Sequence, residues 1–145
     1  MNLKDILAIS GMSGLYRFVS QGRNGVIIEE LVDKKRMNAS ASARVSALDD
    51  IAIYTDDKEL PLKEVLKRIY QKENANAAID PKSTNDQLKK YFEGIVPDYD
   101  REKVYVSDIK KVITWYNLLL SQNMIDLEED PKDEKNTEEV KEEGK

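Results

Sequence analysis

The hydrophobic period of this chain changes once, near residue 56, and that change limits the possible folds more than any other feature. Before it, the pattern has a period of two. Leu15-Tyr16-Arg17-Phe18-Val19-Ser20 alternates and is rich in aromatic and branched side chains, as a strand requires. After it, Leu62, Val65, Leu66 and Ile69 recur at the spacing of one helical face. Strands followed by helices indicate an α+β protein.

In the first part, Gly22-Arg23-Asn24-Gly25 predicts a hairpin, since Asn24 and Gly25 both tolerate positive φ. Val26 to Leu31 reads as the return strand and Asp33-Lys34-Lys35 as a second turn. Arg36 to Ala39 reads as a third strand. The small residues from Asn38 to Ala43 suggest an irregular edge. Ser46 to Asp50 reads as a short helical turn capped by Ser46, and Ile51 to Tyr54 as the strand that closes the region. So many short strands over residues 1–56 predict a small SH3-like domain, a curled β-sheet more plausibly closed into a barrel than split into a sandwich.

Residues 57–125 predict three helices packed on that sheet. Pro61 suits a first helical position, where its missing N–H costs nothing, and the first helix runs to about Asn74. A loop to Pro81 follows. Ser83 or Thr84 caps the second helix, which turns Leu88, Phe92 and Ile95 inward and ends before Pro97. Ser107 is the expected cap of a third helix over Asp108–Gln122. Ile109, Val112, Ile113, Tyr116 and Leu120 form its stripe, and Trp115, Leu118 and Leu119 widen it. A helix so apolar is a central core helix, which is the favoured reading, or a partner-binding surface formed by Trp115, Leu118 and Leu119.

Charge is distributed unevenly. Residues 126–145 hold ten acidic and four basic side chains, a net of −6, while the whole chain is −5. Residues 1–125 are therefore at +1, with the basic excess in the first third. An acidic segment with almost no apolar residue cannot offset its ordering entropy, so a disordered, solubilising tail is expected over 126–145. It could also fold back on the basic N-terminal third.

The chain has no histidine and no cysteine. Imidazole proton transfer, thiolate chemistry, disulfides and the usual zinc ligands are excluded. Gly11-Met12-Ser13-Gly14 has GxxG spacing, but it precedes a strand, so it reads as a turn. No phosphate-binding glycine pattern occurs, and no cofactor is implied. Asp49-Asp50 and Asp56-Asp57 lack the spacing of a calcium loop and read as turn chemistry. Arg17, Arg23, Lys34, Lys35, Arg36 and Arg44 could converge into an anion or nucleic-acid face with Tyr16 or Phe18, although Glu29, Glu30 and Asp33 interleave with them. No stretch has the roughly 20 apolar residues of a membrane span, and no signal segment is evident, so a cytoplasmic location is expected.

Several segments together resemble a family of short, uncharacterised bacterial proteins, a domain of unknown function. They are Gly14-Leu15-Tyr16, Gly25-Val26-Ile27-Ile28-Glu29, Ser46 through Thr55, Pro61-Leu62-Lys63-Glu64-Val65, Ile79-Asp80-Pro81-Lys82-Ser83, and Tyr105-Val106-Ser107-Asp108-Ile109-Lys110-Lys111 through Trp115-Tyr116-Asn117. Their order agrees over most of residues 1–125. Met37 to Ala43 departs from the family, which carries larger apolar residues there. The resemblance implies no catalytic residue. The expected function is therefore that of a non-enzymatic adaptor, binding a protein partner or a second copy. The alternative is a nucleic-acid-binding accessory protein, and a carboxylate- or lysine-based enzyme ranks third.

Overall fold

The computed structural model describes residues 3–12 and 14–125. The expected disorder of 126–145 lies outside the described residues. The protein is α+β. Strands β1 (Ile6–Ile9), β2 (Tyr16–Gln21), β3 (Gly25–Glu30), β4 (Arg36–Ser40) and β5 (Val45–Ala47) form one antiparallel sheet in the order β4-β3-β2-β1-β5. A 3-10 turn over Leu48–Asp50 leads to a second, two-stranded sheet of β6 (Ala52–Tyr54) and β7 (Glu59–Pro61). Helices α1 (Leu62–Lys72), α2 (Asn85–Ile95) and α3 (Val106–Ser121) complete the fold.

Strands β4 and β5 are consecutive in the chain yet occupy opposite edges of the five-stranded sheet. A flat sheet would set those edges about 19 Å apart. Only residues 41–44 join them, and Ala43 N–H donates to Ser40 O at 2.9 Å, which shortens the link further. The sheet must therefore curl. Its edges do not pair with each other, so it stays open where the sequence predicted a closed barrel.

The curl gives β1 two buried faces. Leu7 and Ile9 point into a small core with Tyr16, Ile28 and Ala39. Ile6 points the other way, into the main core with the helices. This is the period of two at work in a strand covered on both sides.

Several local expectations change. Neither Asn24 nor Gly25 has a positive φ. The turn closes with Gly22 N–H donating to Gly25 O at 2.9 Å, and β3–β4 packing is what requires glycine at 25. A Cβ there would overlap the carbonyl of Ala39. Strand β6 pairs with β7 and does not close the larger sheet. Asp100 N–H donates to Tyr54 O (2.9 Å) and Asp56 N–H to Asp98 O (3.0 Å), tying this hairpin to the α2–α3 connection. The hairpin thus straddles the boundary expected at residue 56. The 3-10 turn has Ala47 at its N-cap, with no side-chain cap from Ser46.

The helices start as their caps dictate. Pro61 is the N-cap of α1, one position earlier than expected. Thr84 caps α2 in a reciprocal box with Gln87, Gln87 N–H donating to Thr84 Oγ1 and Thr84 N–H to Gln87 Oε1. For α3 the N-cap is Tyr105. Its N–H donates to the Asp108 carboxylate at 2.9 Å, and Ser107 lies within the first turn. Ile109, Val112, Ile113, Trp115, Tyr116 and Leu119 are all buried. Helix α3 is the core helix, packed against α1 and α2. Phe92 meets Tyr99 edge to face at 5.1 Å in the same core.

Candidate functional site

A groove of about 730 Å³ opens where the sheet meets α3. Ala8 of β1 and Ser10 just after it line the groove together with Arg44 and Ser46, beside and within β5. These residues face each other in the ladder: Ala8 pairs with Ser46, and Ser10 N–H donates to Arg44 O at 2.9 Å. They alternate with Leu7, which serves the small core. Strand β6 contributes Ile53 and Tyr54, and α3 contributes Asp108, Lys111, Val112 and Trp115.

The lining is cationic around an apolar surface. Arg44, Lys103, Lys110 and Lys111 all border it, with Asp108 as the carboxylate among them. Asp108 is already committed to the α3 N-terminus through Tyr105 N–H. Among the described residues none of the four cations has an ion-pair partner; pairs such as Arg36–Glu29, Arg68–Glu64 and Arg101–Glu93 lie elsewhere. Lys103 instead sits 5.1 Å from the ring centre of Tyr54, itself 45% exposed.

The basic residues expected to form one face do not converge. Arg17 and Arg36 flank Glu29 in one cross-strand row, and Arg36 Nε lies 3.2 Å from the Glu29 carboxylate. Arg23 is at the β2–β3 turn, while Lys34 and Lys35 are at the β3–β4 turn, the length of β3 away, roughly 20 Å. Only Arg44 borders the groove. Its other cations were not singled out from sequence. Lys111 had a usable signal: it stands four residues before Trp115 and so shares its helix face.

The expected partner surface on α3 is also corrected. Leu119 is fully buried, Trp115 is 8% exposed, and Leu118 is partly buried against the core. Burying this side is how α3 holds the main core together. Trp115 keeps one edge in the groove.

The acidic pairs serve turns. Asp49 and Asp50 occupy the 3-10 turn, and Asp56 and Asp57 lie in the β6–β7 connection. There the Thr55 hydroxyl donates to Lys58 O at 2.7 Å and accepts from Lys58 N–H. Among the described residues no cluster of carboxylates could hold a metal ion, and no helix is long and apolar enough to cross a membrane.

Tyr91 and Tyr116, outside the groove, hold the α1–α2 connection. The Tyr91 hydroxyl bonds the Glu73 carboxylate, and burial is the main reason its pKa is raised. Tyr116, pushed up to about 12 chiefly by burial, donates to Asn76 O.

A curled antiparallel sheet on three helices, with a cationic cleft at their junction, defines a small two-part α+β protein. Each part matches a family model. Residues 3–48 match a domain of unknown function, DUF5606, and residues 51–119 match a second, DUF6852. The chain belongs to this family of uncharacterised domains. A solution NMR structure of a Bacteroides vulgatus protein, a structural-genomics target, is similar at 45% identity and a TM-score of 0.74. The match covers 86% of this chain and 90% of that one. No curated protein matches. The two family segments meet at the 3-10 turn, and the groove draws its lining from both.

Proposed function

We propose that this chain is a non-enzymatic cytoplasmic interaction protein whose groove takes an extended acidic segment of a protein partner. The carrying observation is the set of four cations that have no ion-pair partner among the described residues, around an apolar surface that includes Ile53, Val112 and Trp115. Cations beside a low-dielectric wall attract an anionic chain more strongly than the same charges in open water. An acidic peptide that alternates carboxylates with apolar side chains would satisfy both surfaces.

Two observations favour a protein partner over nucleic acid. Single-stranded binding uses successive aromatic platforms, whereas the aromatic ring exposed here, Tyr54, is already covered by Lys103. Residues 1–125 carry a net charge of about +1, far from the basic balance of a nucleic-acid-binding domain.

Trp115, the single tryptophan, lines the groove and reports on it. The test titrates the full chain with a synthetic peptide alternating glutamate and leucine, and in parallel with a single-stranded oligonucleotide. Trp115 fluorescence and amide shifts are followed. Peptide binding that shifts Ile53, Lys111 and Trp115, and weakens about tenfold or more in Lys110→Glu/Lys111→Glu, is the expected result. Binding of the oligonucleotide alone would transfer the groove to the nucleic-acid reading. Binding of neither would remove the reading.

A further inference from the structure

We propose that the partner's acidic segment enters this groove as an added strand, pairing its backbone with the open edge of β6. The inference rests on the groove being an acidic-segment site, as argued above, and adds how the segment is held and in which register.

Strand β6 has a neighbour on one side only, β7. Thr55 N–H donates to Lys58 O at 2.7 Å, and Leu62 N–H donates to Ile51 O at 2.9 Å. Ile51, Ile53 and Thr55 therefore turn their backbone groups toward β7, and Ala52 and Tyr54 turn theirs away from it. Asp100 N–H reaches Tyr54 O on that outer edge, and Thr55 and Tyr99 form an antiparallel bridge there. Residues 98–100 thus act as a short third strand beside the end of β6. The chain then turns off the edge, Lys103 N–H and Val104 N–H both donating to Asp100 O. Among the described residues, Tyr54 N–H and both backbone groups of Ala52 are left without a hydrogen-bond partner. Both residues line the groove. An extended peptide adds to an unpaired edge of this kind.

Charge selects the occupant, since Arg44, Lys103, Lys110 and Lys111 border the same groove. Side chains of an added strand alternate between the two faces of β6. The Tyr54 face carries Lys103, 5.1 Å from the ring centre. Ile53 turns to the other face, into the main core with Val112 and Trp115. Peptide residues opposite Ala52 and Tyr54 are therefore acidic, and those between them are apolar. Paired residues share a face, so the acidic residues are also those whose N–H and C=O point at β6.

Selective N-methylation of the glutamate–leucine peptide tests this. The unmodified peptide, a form methylated at every leucine nitrogen and a form methylated at every glutamate nitrogen are each titrated into the full chain, followed by Trp115 fluorescence. Methylation keeps every charge and removes backbone N–H groups of one parity. The leucine-methylated form should bind within about threefold of the unmodified peptide, and the glutamate-methylated form at least about tenfold more weakly. Under saturating unmodified peptide, amide exchange should slow several-fold at Ala52 and Tyr54 and stay unchanged at Ile53, which already faces β7. Equal binding of the two methylated forms, the reverse order, or no added protection at Ala52 and Tyr54 overturns the proposal. If the unmodified peptide still shifts Trp115 in any of those cases, only strand addition fails. If it produces no shift, the groove reading falls as well.

Discussion

The Tyr116 hydroxyl donates to the carbonyl oxygen of Asn76 at 2.8 Å, across 40 residues of chain. The next side chain of α3 acts in the same way, Asn117 Oδ1 accepting from Ala78 N–H at 2.8 Å. From α2, Tyr91 holds Glu73. Together these bonds pin the α1–α2 connection, where Asn74 and Ala75 have left-handed backbone at φ +53° and +68°. Replacing Tyr116 with Phe should lower stability by about 1 kcal/mol. Replacing Asn117 with Ala leaves the Ala78 N–H without its partner and should cost about 2 kcal/mol. Denaturant unfolding measures both, and amide exchange at Ala78 should accelerate in the second.

The same tyrosines set an alkaline limit. Tyr116 is raised from 10.0 to about 12, first by burial and then by Glu73 and Tyr70. Tyr91 is raised as well, first by burial and then by its bond to Glu73. Between the unfolded and folded pKa the unfolded chain has lost the proton and the native chain keeps it, so stability falls as pH rises. This contribution is therefore complete below pH 10 and is lost as pH climbs from about 10 toward 12. A tyrosinate absorbance titration of the native protein should show Tyr16, Tyr91 and Tyr116 ionising later than a free tyrosine, each raised first by burial. Seven tyrosines ionising together would contradict this account.

Gly25 should be the least replaceable glycine. Its Cβ position is occupied by the Ala39 backbone, so Gly25→Ala must push β4 away from β3, at a cost of about 3 kcal/mol. Gly11 has open space around it and is constrained only by φ +87°, so Gly11→Ala should cost about 1 kcal/mol. Chemical denaturation of the two variants tests the order.

Leu119 separates core from partner surface. It has no exposed area, and Leu119→Ala should destabilise the fold by about 3 kcal/mol. Had α3 been an interface, the same change would leave unfolding unaltered and weaken only binding. Thermal unfolding of the isolated protein discriminates these outcomes.

The long periodic elements were legible in the sequence. Helices α1, α2 and α3 and strands β2, β3 and β4 each run long enough to repeat an apolar spacing, and the choice of Thr84 over Ser83 as cap of α2 came from its box with Gln87 in the structure. Strands β1, β5 and β7 have four, three and three residues and are too short to display a period. The Asn24-Gly25 pair marked the β2–β3 hairpin correctly, but not the reason for its glycine. It signals a turn chemistry, whereas Gly25 is required by the approach of a neighbouring strand.

The groove was legible only in part. Arg44 was marked by its charge, whereas nothing in the local pattern set Lys103, Lys110 and Lys111 apart as site residues. Trp115 was read as a possible surface anchor, and it is mostly core with one edge in the groove.

The sequence alone determined the class of the fold, the order of its main elements, the apolar character of α3 and the exclusion of imidazole and thiol chemistry. Those properties follow from local spacing and from residue type. Tertiary structure decided that the sheet curls without closing, that β6 joins the helices, and that the cations of one half meet the arginine of the other. These depend on how far apart chain segments are in space. Short-range periodicity carries no information about that distance, and long-range packing of Ile6, Ile53 and Trp115 into one core sets it.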